Sequence, residues 1–510
     1  MTEPYVYITT TIPYVNARPH IGHALEVVQA DVLARFGRRH GDRVRFQAGT
    51  DDNSLKNVLA AQAAGVGVQE FVDRNAEAFL ALGPALSLTV DDFIRTSRDL
   101  RHRPGVERFW QACAAAGDLY RKRYEGLYCT GCEQFYSPAE LRAGRCPEHD
   151  TEPQRVAEEN WFFRLSRYGD RLREAITGGG LRIEPAGHRN EVLAFIDRGL
   201  EDFSVSRPAE RAGGWGIPVP GDPGQVIYVW FDALCNYVTA LGYGTGDDGY
   251  REWWAGPGRR IHLLGKGVLR FHAVYWPAML LSAGQPLPTD IFVHDYLTAG
   301  GQKISKSSGS GADPAALAAE YGTDAVRWWL LREVPRVGDA AFTVERLIAR
   351  ADDELANGLG NLVNRVIAMI GKYRDGRVPG PQLVPAGGEH LDAACRQASD
   401  RVGAALAEFD FRRATSAVWA IADEANRFVN RARPWELARA ERDGDASAGP
   451  RLDGALSALF GACVALGAEL EPFLPDAAAR ITRQCTARDD RLPEPAPVFR
   501  RLGVRAARSV

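Results

Sequence analysis

Lysine is scarce in this chain of 510 residues: six of its 62 lysine and arginine residues are lysines, at 56, 122, 266, 303, 306 and 372. Nearly every cationic position holds arginine, yet three of the six lysines fall in two short phrases, Gly265-Lys266 and Lys303-Ile304-Ser305-Lys306-Ser307. A compact ammonium on a flexible stem suits a moving anionic partner better than a planar guanidinium fork. The blander reading is a set of surface lysines kept by chance. No apolar run reaches the length of a membrane span, so none is expected. No signal or transit pattern precedes the first strand-like run. Of the eight cysteines, three cluster between 129 and 146 and the rest are scattered, which excludes a disulfide scaffold and fits a reducing cytoplasm. The net charge of −3 speaks neither for nor against a nucleic-acid partner, because a local basic face can coexist with a neutral total.

What is present concentrates in two phrases far apart in the chain. Residues 5–10 form an apolar run that reads as a buried parallel strand, and residues 25–39 carry a helical pattern. Between them stands Pro19-His20-Ile21-Gly22-His23. A strand, a glycine turn and a helix start together make a place where free backbone N–H groups hold an anion. Two imidazoles there can also donate to phosphate oxygens. The second phrase sets Lys303, Lys306 and the hydroxyls of Ser305 and Ser307 in a stretch with Gly300, Gly301, Gly309 and Gly311. It reads as a mobile cationic loop. A triphosphate held between a rigid turn and a flexible flap is the implied ligand.

Strand and helix alternate over residues 1–115, with a second strand at 44–50 and helices at 53–64 and 68–82. From 116 to 220 the pattern breaks into short pieces, as an insertion would. Strand signals return at 226–231, 260–264 and 291–293. The fold class expected is α/β, a doubly wound parallel sheet of Rossmann type split by the insertion, its second half at 221–290. Ligands sit at the carboxyl ends of strands in such sheets, where Asp51, Trp230, Lys266 and His294 fall. Residues 291–345 carry the second phrase, and 346–510 show only amphipathic helical runs broken by Pro/Gly segments, a helical bundle.

Within the insertion, Cys129-Thr130-Gly131-Cys132 is followed by Cys146-Pro147-Glu148-His149. Three thiolates and an imidazole make a closed tetrahedral set for Zn²⁺, with no position left open for a substrate, so the site is structural. A short loop-rich segment gains folding energy from such a metal. A redox Cys-x-x-Cys is the rival reading, and it leaves the second knuckle unused.

These phrases resemble the two signatures of class I aminoacyl-tRNA synthetases, with isoleucine at 304 where methionine is usual. Longer strings narrow the resemblance to the methionyl-tRNA synthetase family over essentially the whole chain: Ile12-Pro13-Tyr14-Val15-Asn16, Tyr228-Val229-Trp230-Phe231-Asp232-Ala233, Arg270-Phe271-His272 and Tyr275-Trp276-Pro277-Ala278-Met279-Leu280. The zinc insertion with one knuckle pair and a histidine ligand, followed by Asn160-Trp161-Phe162-Phe163-Arg164-Leu165, is similar to one branch of that family. The resemblance implies that Ile12, Tyr14, Trp230, Tyr237 and His272 wall a methionine pocket and that Asp51 accepts the substrate ammonium. It implies that His20, Gly22, His23, Gly265, Lys266, Lys303, Ser305 and Lys306 bind ATP, with His20, His23, Lys303 and Lys306 catalytic. Asn361, Arg365 and Trp435 match the family's anticodon readers. On its own residues, Trp435 in Arg433-Pro434-Trp435-Glu436 would read as a half-buried helix-start aromatic.

The implied reaction is methionine plus ATP to methionyl-adenylate, then transfer to tRNA(Met), with Mg²⁺ accompanying ATP and Zn²⁺ structural. The substrate carboxylate is itself the nucleophile, which accounts for motifs of imidazole, ammonium and backbone N–H groups and no Ser-His-Asp arrangement. A monomer is expected, because no tRNA-binding barrel follows the bundle. Three places depart from the family pattern: Thr50-Asp51-Asp52-Asn53-Ser54 for Thr-Asp-Glu-His-Gly, Gly265-Lys266-Gly267 for Gly-Lys-Asp, and Val293-His294-Asp295 for Val-His-Gly. A carboxylate is lost at 267 and one appears at 295, which suggests one charge moved to a neighbouring strand; neutral drift is the plain alternative. The departures keep open a paralogue with altered inhibitor sensitivity or amino-acid specificity, and a catalytically inactive tRNA-binding homologue. A small-molecule nucleotidylyltransferase would share the first turn but has no need of the bundle.

Overall fold

Apolar runs flanked by turn residues build the centre of the protein. The computed structural model describes residues 5–129, 134–136, 138–148, 150–299, 302–304, 312–380 and 387–503. Six strands form one sheet: β1 Tyr5–Thr10, β2 Arg43–Thr50, β3 Asp92–Arg95, β4 Arg182–Glu184, β5 Arg259–Gly265 and β6 Asp290–His294. They run in the order β3-β2-β1-β5-β6-β4, every neighbouring pair parallel. Ile8 of β1 faces Phe46 on one side and Ile261 on the other, all three buried. The chain winds outward from β1 through β2 and β3, then returns on the far side through β5 and β6. That reversal opens a crevice at the carboxyl ends of β1 and β5.

The sheet departs from the sequence reading in three places. The run at 226–231 supplies no central strand. Asp222–Ile227 lies instead in a small antiparallel sheet with Ser206–Pro208 and Pro218–Val219, and Val229–Leu234 is a helix that carries Trp230. A buried apolar run of six residues does not distinguish strand from buried helix. β3 is too short and polar to announce itself, and β4, with one apolar residue, comes from inside the stretch read as insertion. The rest of that stretch centres on a long antiparallel pair, Leu119–Cys129 against Gln154–Phe163.

From Val344 to Gln484 the described residues are mainly helical. Val344–Arg350 runs through a wider π-type stretch, Ala351–Gly360, into Asn361–Arg374. Glu389–Leu406, Phe411–Ala432, Pro434–Arg442, Ala448–Leu470 and Pro475–Gln484 complete the bundle. Ala448–Leu470 is long and apolar enough to cross a membrane by length and composition. Here its Leu452, Leu456, Leu459, Leu466 and Leu470 are wholly buried in the bundle core.

Helix α1, Ile21–Arg39, joins the two halves. Its Asp31 and the bundle-side Arg327, both with no exposed surface, pair at 2.8 Å. Arg327 spends its other donors on the carbonyls of Leu86, Pro472 and Phe473, at 2.7–3.0 Å. Arg35 reaches Asp31 and Glu471, and Arg39 reaches Glu469. Burial alone would raise the Asp31 carboxyl, but the Arg327 and Arg35 guanidiniums outweigh it and hold it below its ordinary range.

Candidate active site

The turn before α1 differs in one respect from what the sequence suggested. Its backbone N–H groups all have partners. Ile21 N–H donates to Ala312 O at 3.0 Å and Gly22 N–H to His20 Nδ1 at 3.1 Å, while His23 and Ala24 donate to His20 O. His23 Nδ1 in turn accepts the His20 N–H at 3.0 Å. Two imidazoles thus cap the helix reciprocally, as a Ser/Glu pair does in a capping box. Because each Nδ1 accepts, each neutral ring carries its proton on Nε2 as a donor. The rings lie 3.8 Å apart at 32°. A Cβ at Gly22 would lie 3.0 Å from the His20 ring, close enough that the ring would have to give way by a few tenths of an ångström. The anion-binding capacity of this turn therefore lies in the side chains, not in unused backbone.

These histidines border a cavity of about 1010 Å³ at the switch point of the sheet. Ile12, Tyr14, Asp51, Trp230, Tyr237, His272, His20, Gly22, His23 and Gly265 all line it. Tyr14 and Asp51 sit side by side where β1 and β2 run out, bridged as a single parallel pair. Asp51, 1% exposed, accepts the Asn53 N–H at 3.1 Å. Trp230 lies flat on Phe271, ring centroids 3.8 Å apart at 7°. Next to Phe271, His272 is pinned at both nitrogens: Nδ1 donates to Val268 O at 3.0 Å and Nε2 accepts from the Tyr237 hydroxyl at 2.7 Å. Burial pushes the His272 imidazole down to about 4, so it is neutral near pH 7. One half of the cavity is aromatic and holds the buried Asp51 carboxylate. The other half is lined by paired imidazoles and the glycine end of β5.

The departures from the family pattern are built into this framework. Asp52 is buried, where it accepts from Thr50, Ser97 and Arg95. Asn53 donates to Asp232, and Ser54 caps Leu55–Ala63. Lys266 does not line the cavity. Its ammonium lies 2.6 Å from Asp339 and 3.2 Å from Asp295, over the Tyr296 ring. Burial opposes its charge, but the two carboxylates prevail and raise its pKa. Asp295 holds Gly338 N–H as well, at 2.7 Å.

Ser305 and Lys306 lie outside the described residues, as does the side chain of Lys303. The backbone of Gln302–Lys303 pairs with Leu297–Ala299, and Ile304 between the two phrase lysines lines the same cavity as His20 and His23. Of the expected zinc ligands, Cys132 and His149 are likewise outside the description, and among the described residues no three potential ligands cluster. Cys129 and Cys146 are buried together with Tyr136. Asn361 and Arg365 stand one turn apart on Asn361–Arg374, with Arg365 donating to Asn426 at 2.8 Å. Trp435, 43% exposed, sits in the first turn of Pro434–Arg442.

The sequence reading missed Phe271, the platform under Trp230, although Arg270-Phe271-His272 had drawn attention. It also missed Glu26, which takes Thr11 N–H and Oγ1 at 2.6 Å and meets His294 Nε2 at 3.2 Å. A carboxylate one turn after His23, on the buried face of a helix, was the available signal.

Comparison with known proteins agrees with this geometry. The family described as "tRNA synthetases class I (M)" matches residues 6–157 and 136–367, and the "Anticodon binding domain of methionyl tRNA ligase" matches 379–502. The methionine–tRNA ligase of Brucella melitensis is 38% identical, with 98% of each chain covered. That of Caldanaerobacter subterraneus subsp. tengcongensis is 40% identical over 95% of this chain and 74% of its own. The Mycobacterium tuberculosis methionyl-tRNA synthetase in complex with methionyl-adenylate superposes with a TM-score of 0.92 at 36% identity, covering 97% of this chain and 99% of that one. A parallel sheet with its cavity at the switch point, the reciprocal histidine cap and a helical C-terminal domain are thus features of a known lineage, and the chain belongs to the class I methionyl-tRNA synthetases.

Proposed function

We propose that the chain activates L-methionine with ATP and transfers the methionyl group to tRNA(Met). The observation that carries this is one cavity that joins an aromatic half with a buried carboxylate to a half lined by paired imidazoles. Asp51 receives the substrate ammonium, and Ile12, Tyr14, Trp230, Tyr237 and His272 enclose the thioether, a soft group that favours aromatic surroundings. The neutral His272–Tyr237 pair presents no charge to that apolar chain. One carboxylate oxygen of methionine attacks the α-phosphorus, and the bond from that phosphorus to the bridging oxygen breaks, so pyrophosphate departs. A ribose hydroxyl of the terminal tRNA adenosine then attacks the carbonyl carbon and AMP leaves. The protein's part is placement and charge: the Nε2–H groups of His20 and His23 face the phosphates, and Lys303 and Lys306 close over them. Lys266 completes the nucleotide site from its edge, and Mg²⁺ accompanies ATP.

Cys129, Cys132, Cys146 and His149 would hold a structural Zn²⁺. The support is chemical: two buried thiols already share one small cluster, and the remaining two ligands stand at knuckle spacing. Asn361, Arg365 and Trp435 read the anticodon, with Trp435 exposed for stacking. The scattered cysteines support a cytoplasmic setting, and the working form is taken as a monomer. ATP–pyrophosphate exchange across the twenty amino acids, with and without tRNA, tests the whole. Exchange with methionine alone is expected; no exchange with any amino acid would leave a tRNA-binding module.

A further inference from the structure

Asn53 ties two walls of the cavity together. It stands two residues beyond Asp51, and its backbone N–H donates to Asp51 Oδ1 at 3.1 Å. Its side-chain Nδ2 donates to Asp232 Oδ2 at 2.7 Å. Asp232 in turn stands two residues beyond Trp230 on the helix Val229–Leu234. One residue thus touches both the Asp51 carboxylate and the helix that carries the aromatic wall.

The far end of this tie is rigid. Asp232 has no exposed surface, and its other oxygen meets His102 Nε2 at 2.5 Å, while His102 Nδ1 meets Thr239 Oγ1 at 2.8 Å. A buried carboxylate held on both oxygens cannot shift without leaving charge unsatisfied. The near end is softer: Asn53 is only partly buried and lies in the turn between β2 and Leu55–Ala63. Behind the same wall, Gln47 of β2 donates to Asn236 at 2.6 Å, next to Tyr237. The segment bearing Trp230 and Tyr237 is therefore stitched to β2 and its following turn at two points. Asn53 is the stitch that also holds the carboxylate.

We propose that Asn53 is a positioning residue for the amino-acid substrate. It sets the span between the Asp51 carboxylate and the Trp230 ring, so that an α-amino group and an unbranched apolar side chain are gripped at once. The substrate's identity rests on the function proposed above; the tie itself does not. The test compares the unmodified protein with Asn53→Ala, Asn53→His and Asn53→Asp. Methionine affinity is read from intrinsic tryptophan fluorescence, and KM values for methionine and ATP from pyrophosphate exchange. Asn53→Ala weakens methionine binding about tenfold, the usual scale for a lost hydrogen bond to a charged group, with ATP KM unchanged and a lowered melting temperature, because the buried Asp232 Oδ2 loses its donor. Asn53→His, whose imidazole can still donate to Asp232, recovers most of the loss. Asn53→Asp sets two carboxylates face to face and binds methionine more weakly than Asn53→Ala. Unchanged methionine affinity in Asn53→Ala overturns the proposal, and so does a loss shared equally by methionine and ATP. Unmodified protein that binds methionine without exchange sinks the ligase reading while the binding comparison still judges Asn53. Unmodified protein that binds no methionine sinks both.

Discussion

Moving one negative charge between neighbouring strands has a cost that can be worked from the structure. Asp295 lies 3.2 Å from the Lys266 ammonium, accepts Gly338 N–H at 2.7 Å and approaches His188 at 3.5 Å. Asp295→Asn keeps an acceptor for Gly338 and removes only the charge. Lys266, 29% exposed, retains Asp339 at 2.6 Å, so the loss is that of a part-exposed ion pair, about 1 kcal/mol. Expressed wholly at the nucleotide site, that is roughly a fivefold rise in ATP KM. Asp295→Gly also takes the charged acceptor from Gly338, a further loss of about 1.5 kcal/mol or more, for roughly 70-fold or more altogether. Gly267→Asp on that background returns a carboxylate next to the same ammonium and recovers the charge part, so ATP KM is expected to fall about fivefold and to stay roughly tenfold above that of the starting protein. The assay is the ATP dependence of pyrophosphate exchange at saturating methionine, with methionine KM as the control. Additive losses in the double variant, or an unchanged ATP KM in Asp295→Gly, would refute the reasoning.

Four other outcomes are expected. Lys306→Ala removes a donor to developing phosphoryl charge and lowers exchange by roughly 10²–10³ while methionine still binds; retained exchange contradicts the role. Gly22→Ala crowds the His20 ring and strains its bond to Gly22 N–H, so kcat for exchange is expected to fall by up to about tenfold, the usual scale for one charge-directed hydrogen bond, and an unchanged kcat counts against the paired-imidazole account. The pKa of His272 is about 4 folded against an ordinary 6.5, so the unfolded chain takes the proton first as pH falls. Its contribution to stability is complete above pH 6.5 and declines by about 1.4 kcal/mol per unit down to pH 4. Denaturant midpoints at pH 7 and 5 should show a steeper drop than in His272→Gln, and parallel slopes would argue otherwise. Chelation of Zn²⁺ should release close to one equivalent of metal and make residues 116–165 sensitive to protease; a protein purified without zinc yet equally resistant would remove the metal from the account.

The frame of the fold was readable where burial wrote it in runs. β1, β2, β5, β6 and α1 follow apolar stretches flanked by turn residues. β3 and β4 were not readable, since strands of four and three residues gain their place from neighbours and not from their own composition. The run at 226–231 looked like a strand because an apolar sequence buried on all sides has no period to betray a helix. In the site, local phrases pointed to the histidines and to the aromatic wall. The Glu26–His294 pair and the Asn53–Asp232–His102 chain were invisible, since each joins residues far apart in sequence through a contact that only folding creates. The reciprocal cap was legible in residue type but not in role. Nothing in His20-Ile21-Gly22-His23 says that the rings would satisfy the backbone they were expected to leave open.

Helix α1 is a long arm between the cavity and the helical domain. Its 19 residues make a rod of about 28 Å, with the paired imidazoles at one end and Arg35 and Arg39 clamped into the helical domain at the other. A tilt of two degrees at the clamped end sweeps the imidazoles through about 1 Å, a displacement on the scale that can slow a positioned reaction about a hundredfold. The fully enclosed guanidinium of Arg327 is the bearing on which that arm is held still.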